Sequence, residues 1–216
     1  MPDTTTLDMP FTFSVPKEFE AIDFTRSPEE RADATLANLR AMDPKPSEEE
    51  MLQAVVSQQT VIDLLADSGA VYAGVLVAKD DNISTAEATE IVSALLTVTI
   101  KPSDLKDTVT VNWLTDTLTT LYPGAEIGIV VLPTGPDRAP APAVLVTEEV
   151  ELPQPVNLIE DTADKPAPSR VRQLHVFVPI TGRTAMADFS ISTQSLENWD
   201  ACVTILASIC ETITFN

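Results

Sequence analysis

The sequence has few basic residues, few glycines and little of what most catalytic or metal sites are built from. Lys and Arg number 13 against 33 Asp and Glu, which gives a formal net charge of -20. Because Lys and Arg drive binding to nucleic acid by releasing counterions, this balance argues against nucleic acid. It indicates either an acidic surface without a binding role or one that attracts a protein partner with a basic surface. The 6 glycines form neither G-x-G-x-x-G nor G-x-x-x-x-G-K, so we recognise no phosphate-binding loop and expect no cofactor.

Histidine and cysteine are also scarce. His175 is the single histidine, and Cys202 and Cys210 are the two cysteines, so they cannot complete the usual four-ligand structural zinc site. His175 lies in the apolar stretch Leu174–Phe177, which favours a structural strand residue, although any Ser-His-Asp or Cys-His catalyst would have to use it. No serine has the G-x-S-x-G context of a nucleophile elbow. These absences favour a protein that is not an enzyme.

The cysteine spacing bears on the cellular compartment. Cys202 and Cys210 lie on a segment that indicates one helix, where their separation corresponds to a rise of about 12 Å. A disulfide needs Cα atoms about 4.4–6.8 Å apart, so we expect two free, buried thiols and a cytoplasmic location. No run approaches the ~20 apolar residues that cross a bilayer, and the polar N-terminal residues lack the features of a secretory signal. The sequence predicts a soluble protein without membrane insertion.

Local patterns predict a mixture of helices and strands. Ser27 and Ser47 each precede a helix with Glu three residues later, and Gly69 is placed to end the second helix. Ser103 is expected to cap a third helix in which Leu121 faces inward. A last helix follows from the three-and-four spacing of Leu196, Trp199, Val203, Leu206, Cys210 and Ile213. Strands are predicted at Phe11–Val15, Ala70–Ala78, Leu95–Ile100, Ile127–Leu132, Ala143–Leu152, Val171–Val178 and Thr184–Ile191.

The order of these segments predicts the architecture. The last four strands are joined by loops rather than helices, which favours antiparallel pairing. The sequence therefore predicts one α+β domain over residues 1–216, with a twisted, mainly antiparallel sheet packed against helices that include a C-terminal helix. Residues at about 153–169 are Pro-rich and acidic and are predicted to form a long loop.

A group of arginines stands out in a chain with so few basic residues. Arg170, Arg172 and Arg183 gather near the predicted hairpin, and Glu149 and Glu151 lie on the strand before the long loop. If the two strands are antiparallel neighbours, Arg170 and Arg172 meet these glutamates in cross-strand ion pairs. The alternative is contact with an anion or a partner protein. The candidate residues for that contact are Arg170, Arg172, Arg183 and His175.

Four stretches carry a resemblance to known proteins: FTFSVPKEF, RSPEERADATLANLR, AVYAGVLVAK and the closing block from Val171. The chain resembles uncharacterised proteins of actinomycete genomes and, more remotely, the Mog1/PsbP-like group. In that group a twisted antiparallel sheet packs against a C-terminal helix that follows F-S-T-x-x-x-x-x-W. The matching residues here are Phe189, Ser190, Ser192 and Trp199.

The resemblance also implies a class of function. Members of the group look like binding and accessory proteins, and the group offers no catalytic residue to carry over. The expected function is thus a non-enzymatic intracellular accessory or adaptor protein that binds another protein. The alternative is a small-ligand-binding protein, or a hydrolase of unknown type, with a pocket near His175. The sequence leaves the oligomeric state open.

Overall fold

A computed structural model describes residues 9–41, 47–79, 91–103, 109–133, 140–152, 169–180 and 182–215. Over these residues the helices are α1 (Pro28–Arg40), α2 (Glu48–Asp67), α3 (Val111–Leu121) and α4 (Trp199–Glu211). The strands are β1 (Phe11–Thr12), β2 (Phe19–Ala21), β3 (Ala70–Lys79), β4 (Ile91–Pro102), β5 (Glu126–Leu132), β6 (Ala141–Leu152), β7 (Ser169–Pro179), β8 (Ala185–Thr193) and β9 (Thr214–Phe215).

Most of the strands form one antiparallel sheet. Its seven strands run in the order β2-β3-β4-β8-β7-β6-β5, and β1 pairs with β9 in a separate two-stranded sheet. Every neighbouring pair is antiparallel, and α4 follows β8, so the predicted α+β fold with a C-terminal helix is confirmed. The predicted pairing of β6 with β7 is also confirmed. Of the Pro-rich loop predicted at about 153–169, residues 153–168 lie outside the described residues, and Ser169 is the first residue of β7.

The first two helices begin as their sequences predict. The Ser27 hydroxyl accepts the N–H of Glu30 at 3.2 Å, and the Glu30 carboxylate accepts the N–H of Ser27 at 2.9 Å. Ser47 and Glu50 repeat this reciprocal capping at the start of α2. Such a box occupies donors that a helix would otherwise leave without partners. Gly69 follows α2 with φ of +81°, a conformation that glycine adopts without strain.

The start of the third helix differs from the prediction. Thr110, not Ser103, caps α3, because its hydroxyl accepts the N–H of Trp113 at 3.4 Å. The N–H of Ser103 donates instead to the carbonyl of Thr184 at 2.7 Å, which extends the contact between β4 and β8 beyond their last pair. Leu121 was expected to face inward, but as the last residue of α3 it is 65% exposed.

Side chains alternate across the sheet, which produces two apolar layers. On one face Leu96, Phe189 and Val176, from β4, β8 and β7, belong to a cluster that includes buried residues of α4. On the other face Val144, Val146 and Phe177 pack with Leu114 and Leu118 of α3. The sheet therefore lies between α4 and α3, and its two sides can be treated separately as the α4 face and the α3 face.

The last helix is anchored by its apolar stripe. Its buried residues are Trp199, Cys202, Leu206, Ile209 and Cys210. The two cysteines are free thiols, as predicted from their spacing, and burial raises the pKa of Cys210 to about 12. Val203, a member of the predicted stripe, is only partly buried, whereas Ile209, which is not in that stripe, lies in the core. The first strand is shorter than predicted, because β1 pairs with β9 only at Phe11 and Thr12.

Candidate functional site

Three charged or ionisable side chains meet on the α3 face of the sheet. We call Lys101, His175 and Asp188 the polar cluster; they come from β4, β7 and β8, which are neighbours. Lys101 Nζ lies 2.7 Å from Asp188 Oδ2, and His175 Nδ1 lies 3.1 Å from Asp188 Oδ1. The side chain of Asp188 is only 4% exposed, whereas those of His175 and Lys101 are 12% and 36% exposed. A buried carboxylate thus holds two partners that still reach the surface.

The strand register explains how residues so distant in sequence meet. Asp188 pairs with Thr99 on one side and with Phe177 on the other, so it sits in the middle of the sheet. Side chains two residues apart share a face, which places Lys101 beside Thr99 and His175 beside Phe177. The rings of His175 and Phe177 stack with centroids 5.6 Å apart, and Lys101 Nζ lies 5.2 Å from the Phe177 centroid. Phe177 is therefore the apolar floor of the polar cluster.

Electrostatics favour the ionised form of Asp188. Burial by itself would raise the pKa of this carboxyl group. The hydrogen bond and charge of His175 and the charge of Lys101 outweigh burial, so the Asp188 pKa lies below its ordinary value. Tyr122, whose ring is 5.7 Å from that of His175, has a raised pKa because of burial and the carboxylates of Asp188 and Glu148. The phenol therefore stays protonated beside the polar cluster.

The polar cluster has part of the chemistry of an acid–base site. A carboxylate on Nδ1 fixes one tautomer of an imidazole and leaves Nε2 as the basic nitrogen. The Nε2 atom of His175, however, lies 3.3 Å from Oε1 of Gln173, an oxygen that can only accept, so in this geometry Nε2 is a donor. Ser190, which faces His175 across the β7–β8 pair, is hydrogen-bonded to Thr97 at 2.6 Å. The side chains described around His175 thus orient the imidazole through both ring nitrogens, and the Ser190 hydroxyl is held by Thr97.

The structure divides the predicted arginine group. Arg170 meets both predicted partners, with Nη1 3.2 Å from Glu149 Oε1 and Nη2 3.7 Å from Glu151 Oε1. Arg172 faces Glu149 in the strand register, but its guanidinium stacks 4.6 Å above the ring of Trp199. The prediction that both arginines form ion pairs with these glutamates is therefore confirmed for Arg170 and wrong for Arg172. An aromatic face from α4 competes for the second guanidinium.

Arg183 does not join the other two arginines. It lies in the turn between β7 and β8, where its N–H donates to the carbonyl of Ile180 at 3.1 Å. Arg170 lies near the opposite end of β7, about 30 Å away at the usual rise per strand residue. His175 lies between them on the α3 face, while Arg172 belongs to the α4 face. The four candidate residues therefore form no common site.

A cleft opens at the end of the sheet where β5 begins. Its volume is about 310 Å³, and we call it the acidic cleft because its side chains include three carboxylates. Its lining residues are Pro123, Gly124, Ala125, Glu126, Thr147, Glu148, Glu149 and Arg172. Gly124 has φ of +92°, which lets the chain turn sharply between α3 and β5. The side chain of Glu149 is 41% exposed.

The outer edge of β5 is the second feature of this region. Among the described residues, β5 pairs with β6 alone, over all seven of its residues and without a register shift. Ile129 and Val131 are 56% and 62% exposed on the α3 face. The strand carries one charge, at Glu126, next to the acidic cleft. A regular strand with few charges thus presents an open edge and two exposed β-branched side chains, and we call it the β5 edge.

Sequence patterns pointed to His175 and Arg172 but missed their main contacts. Asp188 sits in the strand AMADFSIST, where the alternation with buried Ala187 and Phe189 could have placed it on the opposite face from them. Its pairing with Lys101 depends on the long-range contact between β4 and β8. The exposure of Ile129 has no signal in the sequence, because an apolar residue in a strand usually indicates a buried position.

No protein-family model matches the chain, and no curated protein matches its sequence. In the described part of the chain, none of the helices combines the length and apolar character needed to cross a membrane.

Proposed function

We propose that the protein is a non-enzymatic intracellular accessory or adaptor protein, and that it binds another protein by adding a strand of that partner to the β5 edge. The observation that supports this function is the combination of an open edge with exposed Ile129 and Val131. An edge strand presents unpaired N–H and C=O groups, which can continue the ladder with an extended segment of another chain.

The two ends of the sheet differ in a way that supports this proposal. At the opposite end, β2 has three residues, with Glu20 at its centre, and it follows Pro16, Lys17 and Glu18. Short length, charge and proline are the usual devices that keep edge strands from pairing with other chains. The β5 edge has seven residues and lacks a bulge, a proline or a lysine. The protection of one edge and not the other favours a role for β5 in binding.

The proposal can be tested by capture with a matched pair of variants. Ile129→Lys places a charge on the β5 edge, and Leu64→Lys makes the same change at a 68% exposed leucine of α2. Tagged wild-type protein and both variants are used to capture proteins from an extract of the source organism, followed by quantitative mass spectrometry. We expect a set of proteins that the wild type and Leu64→Lys retain equally and Ile129→Lys loses at least tenfold.

The control for folding is a urea denaturation curve of each variant, which should agree with the wild type within about 0.5 kcal/mol, as is usual for exposed sites. Equal capture by Ile129→Lys and the wild type would refute binding at the β5 edge.

A second function is favoured by the polar cluster, namely ligand binding or hydrolysis near His175. The supporting observation is the 3.1 Å contact between Asp188 and His175, which orients the imidazole as in many acid–base sites. The test is a panel of ester, amide and phosphate substrates with wild type and His175→Asn. Turnover by the wild type that His175→Asn abolishes would support this function, and absence of turnover on the whole panel would argue for a structural role of His175.

A further inference from the structure

We infer that the segment bound at the β5 edge is an extended, alternately apolar stretch that runs antiparallel to β5 and carries Lys or Arg at its C-terminal end, seated in the acidic cleft. This inference rests on the proposed function and names the chemistry of the partner. It joins two features of the structure, the open strand and the cleft, that lie end to end.

The strand register brings these two features together. Glu126 is both the first residue of β5 and part of the acidic cleft, and it pairs with Thr147 of β6. Glu148 and Glu149 of β6 therefore extend beyond the start of β5. A partner segment that pairs with the outer edge of β5 and continues past Glu126 leaves the ladder beside these carboxylates. Since all neighbouring strands of this sheet are antiparallel and such ladders are slightly more stable, the segment reaches the cleft with its C-terminal end.

The charge in the cleft favours a cation. Glu126, Glu148 and Glu149 supply three carboxylates, and Arg172 is the single basic residue among the described residues of the lining. The guanidinium of Arg172 is stacked on Trp199 and keeps its charge, so these side chains carry three negative charges against one positive charge. Arg170 contacts Glu149 from outside the lining, and at 56% exposure its charge is largely screened by water. The chain as a whole has a net charge of -20, which adds a long-range attraction for basic segments.

The side chains of β5 set the pattern of the segment before its basic end. Ile127, Ile129 and Val131 share the α3 face, since they alternate along the strand. Residues of an added strand that lie opposite them on this face gain most from being apolar, and the residues between them can be polar. An apolar residue at every second position is therefore the expected pattern.

The same reasoning argues against a second copy of this chain. In an antiparallel pair of two β5 strands, the residues that reach the cleft of the other copy are Leu132 and Pro133, which carry no charge. Two copies with a net charge of -20 each also repel one another. A basic segment satisfies the cleft, whereas the described residues Leu132 and Pro133 of a second copy bring no positive charge to its carboxylates.

A phage-displayed library of random dodecapeptides tests the inference directly. The immobilised baits are the full-length wild type, Ile129→Lys, a triple variant in which Glu126, Glu148 and Glu149 become Gln, and a control with Glu48→Gln and Glu49→Gln at the start of α2. We expect the wild type and the control to enrich peptides with alternating apolar residues followed by Lys or Arg. A synthetic peptide of this sequence should bind at least tenfold more weakly to the triple variant and more weakly at high salt.

The outcomes separate this inference from the proposed function. Peptides that depend on Ile129 but show no basic residue, or show it at the N-terminal end, would overturn the inference and leave strand addition at β5 intact. No peptide lost on Ile129→Lys would overturn both. Concentration-dependent dimers in sedimentation velocity that tighten with salt and vanish in Ile129→Lys would identify a second copy as the occupant and also overturn the inference. Urea denaturation confirms that every bait is folded.

Discussion

Replacing Asp188 by Asn tests whether the polar cluster stabilises the fold. The side chain of Asp188 is 4% exposed, and its carboxylate makes two charge-assisted contacts, with Lys101 and His175. Asn keeps the shape of the side chain and one acceptor oxygen, but it removes the negative charge. The substitution therefore isolates the electrostatic part of the interaction from the packing of β8 between β4 and β7.

The free energy of unfolding that Asp188→Asn loses should be smaller than for a fully buried ion pair and close to that of a hydrogen bond to a charged group. Removing one member of a fully buried ion pair costs about 3–5 kcal/mol, because it leaves a charge without a partner. Here the side chain of Lys101 is 36% exposed, so its ammonium can regain water when the carboxylate is gone. Hydrogen bonds to charged groups contribute about 1.5–3 kcal/mol. We therefore expect Asp188→Asn to lower the free energy of unfolding by about 2 kcal/mol near pH 7.

The loss should depend on pH. The pKa of Asp188 is lower in the folded protein than its ordinary value of 3.8, so protons favour the unfolded chain. The contribution of the carboxylate is complete above that ordinary value and declines as the pH falls through the lower folded pKa. The wild type and Asp188→Asn should therefore differ most near neutral pH and converge toward pH 3 and below.

Urea denaturation followed by circular dichroism at pH 7 and at pH 3 measures both quantities. The matched control is Glu149→Gln, which removes a carboxylate from the exposed contact with Arg170 and should cost less than about 1 kcal/mol. The electrostatic reasoning would be contradicted if Asp188→Asn had the same urea midpoint as the wild type at pH 7. It would also be contradicted if the variant lost the same free energy of unfolding at both pH values.

Further predictions follow from the core and the surface charge. Trp199→Ala should lower the free energy of unfolding by about 3–5 kcal/mol, since it removes a side chain that anchors α4; a loss below about 1 kcal/mol in urea would show that the ring contributes little. Cys202 and Cys210 should resist thiol reagents in the native state and both react after denaturation, because both are buried; rapid native labelling in a mass spectrum would contradict this. Titration into labelled DNA and RNA at low salt should show no complex at micromolar protein, because the net charge is -20. A salt-sensitive complex would refute that expectation.

Local signals in the sequence predicted local structure well. The capping boxes at Ser27 and Ser47 involve residues three apart, and the helices begin at these sites. Ser103 shows the limit of such a signal. Thr110 has a hydroxyl that makes the same kind of cap, and the N–H of Ser103 donates to the carbonyl of Thr184 at the end of the β4–β8 pair. Where two residues can make the same cap, the choice is decided by tertiary contacts that no short window contains.

The candidate site depended on such distant contacts. The pairing of β6 with β7 follows from adjacency in the chain, and Arg170 meets Glu149 as expected. The stacking of Arg172 on Trp199 requires the position of α4, and the contact of Lys101 with Asp188 joins residues 87 apart in sequence. Charge and spacing could identify residues with the potential to interact. Only the order of strands in the sheet determines which of them meet.

The polar cluster and the β5 edge should respond independently to substitution. Asp188 lies on the central strand β8, which is separated from β5 by β7 and β6. Its carboxylate supports the contact between β4 and β7, so Asp188→Asn should lower stability and leave peptide capture at β5 unchanged under native conditions. Ile129 is 56% exposed, so Ile129→Lys removes little burial and should abolish capture without lowering stability.

If instead Asp188→Asn abolished capture while the protein stayed folded, the polar cluster would belong to the binding site and the second function would gain support. A double variant should lose as much stability as Asp188→Asn alone and as much capture as Ile129→Lys alone. This result would assign stability to the centre of the sheet and recognition to its edge.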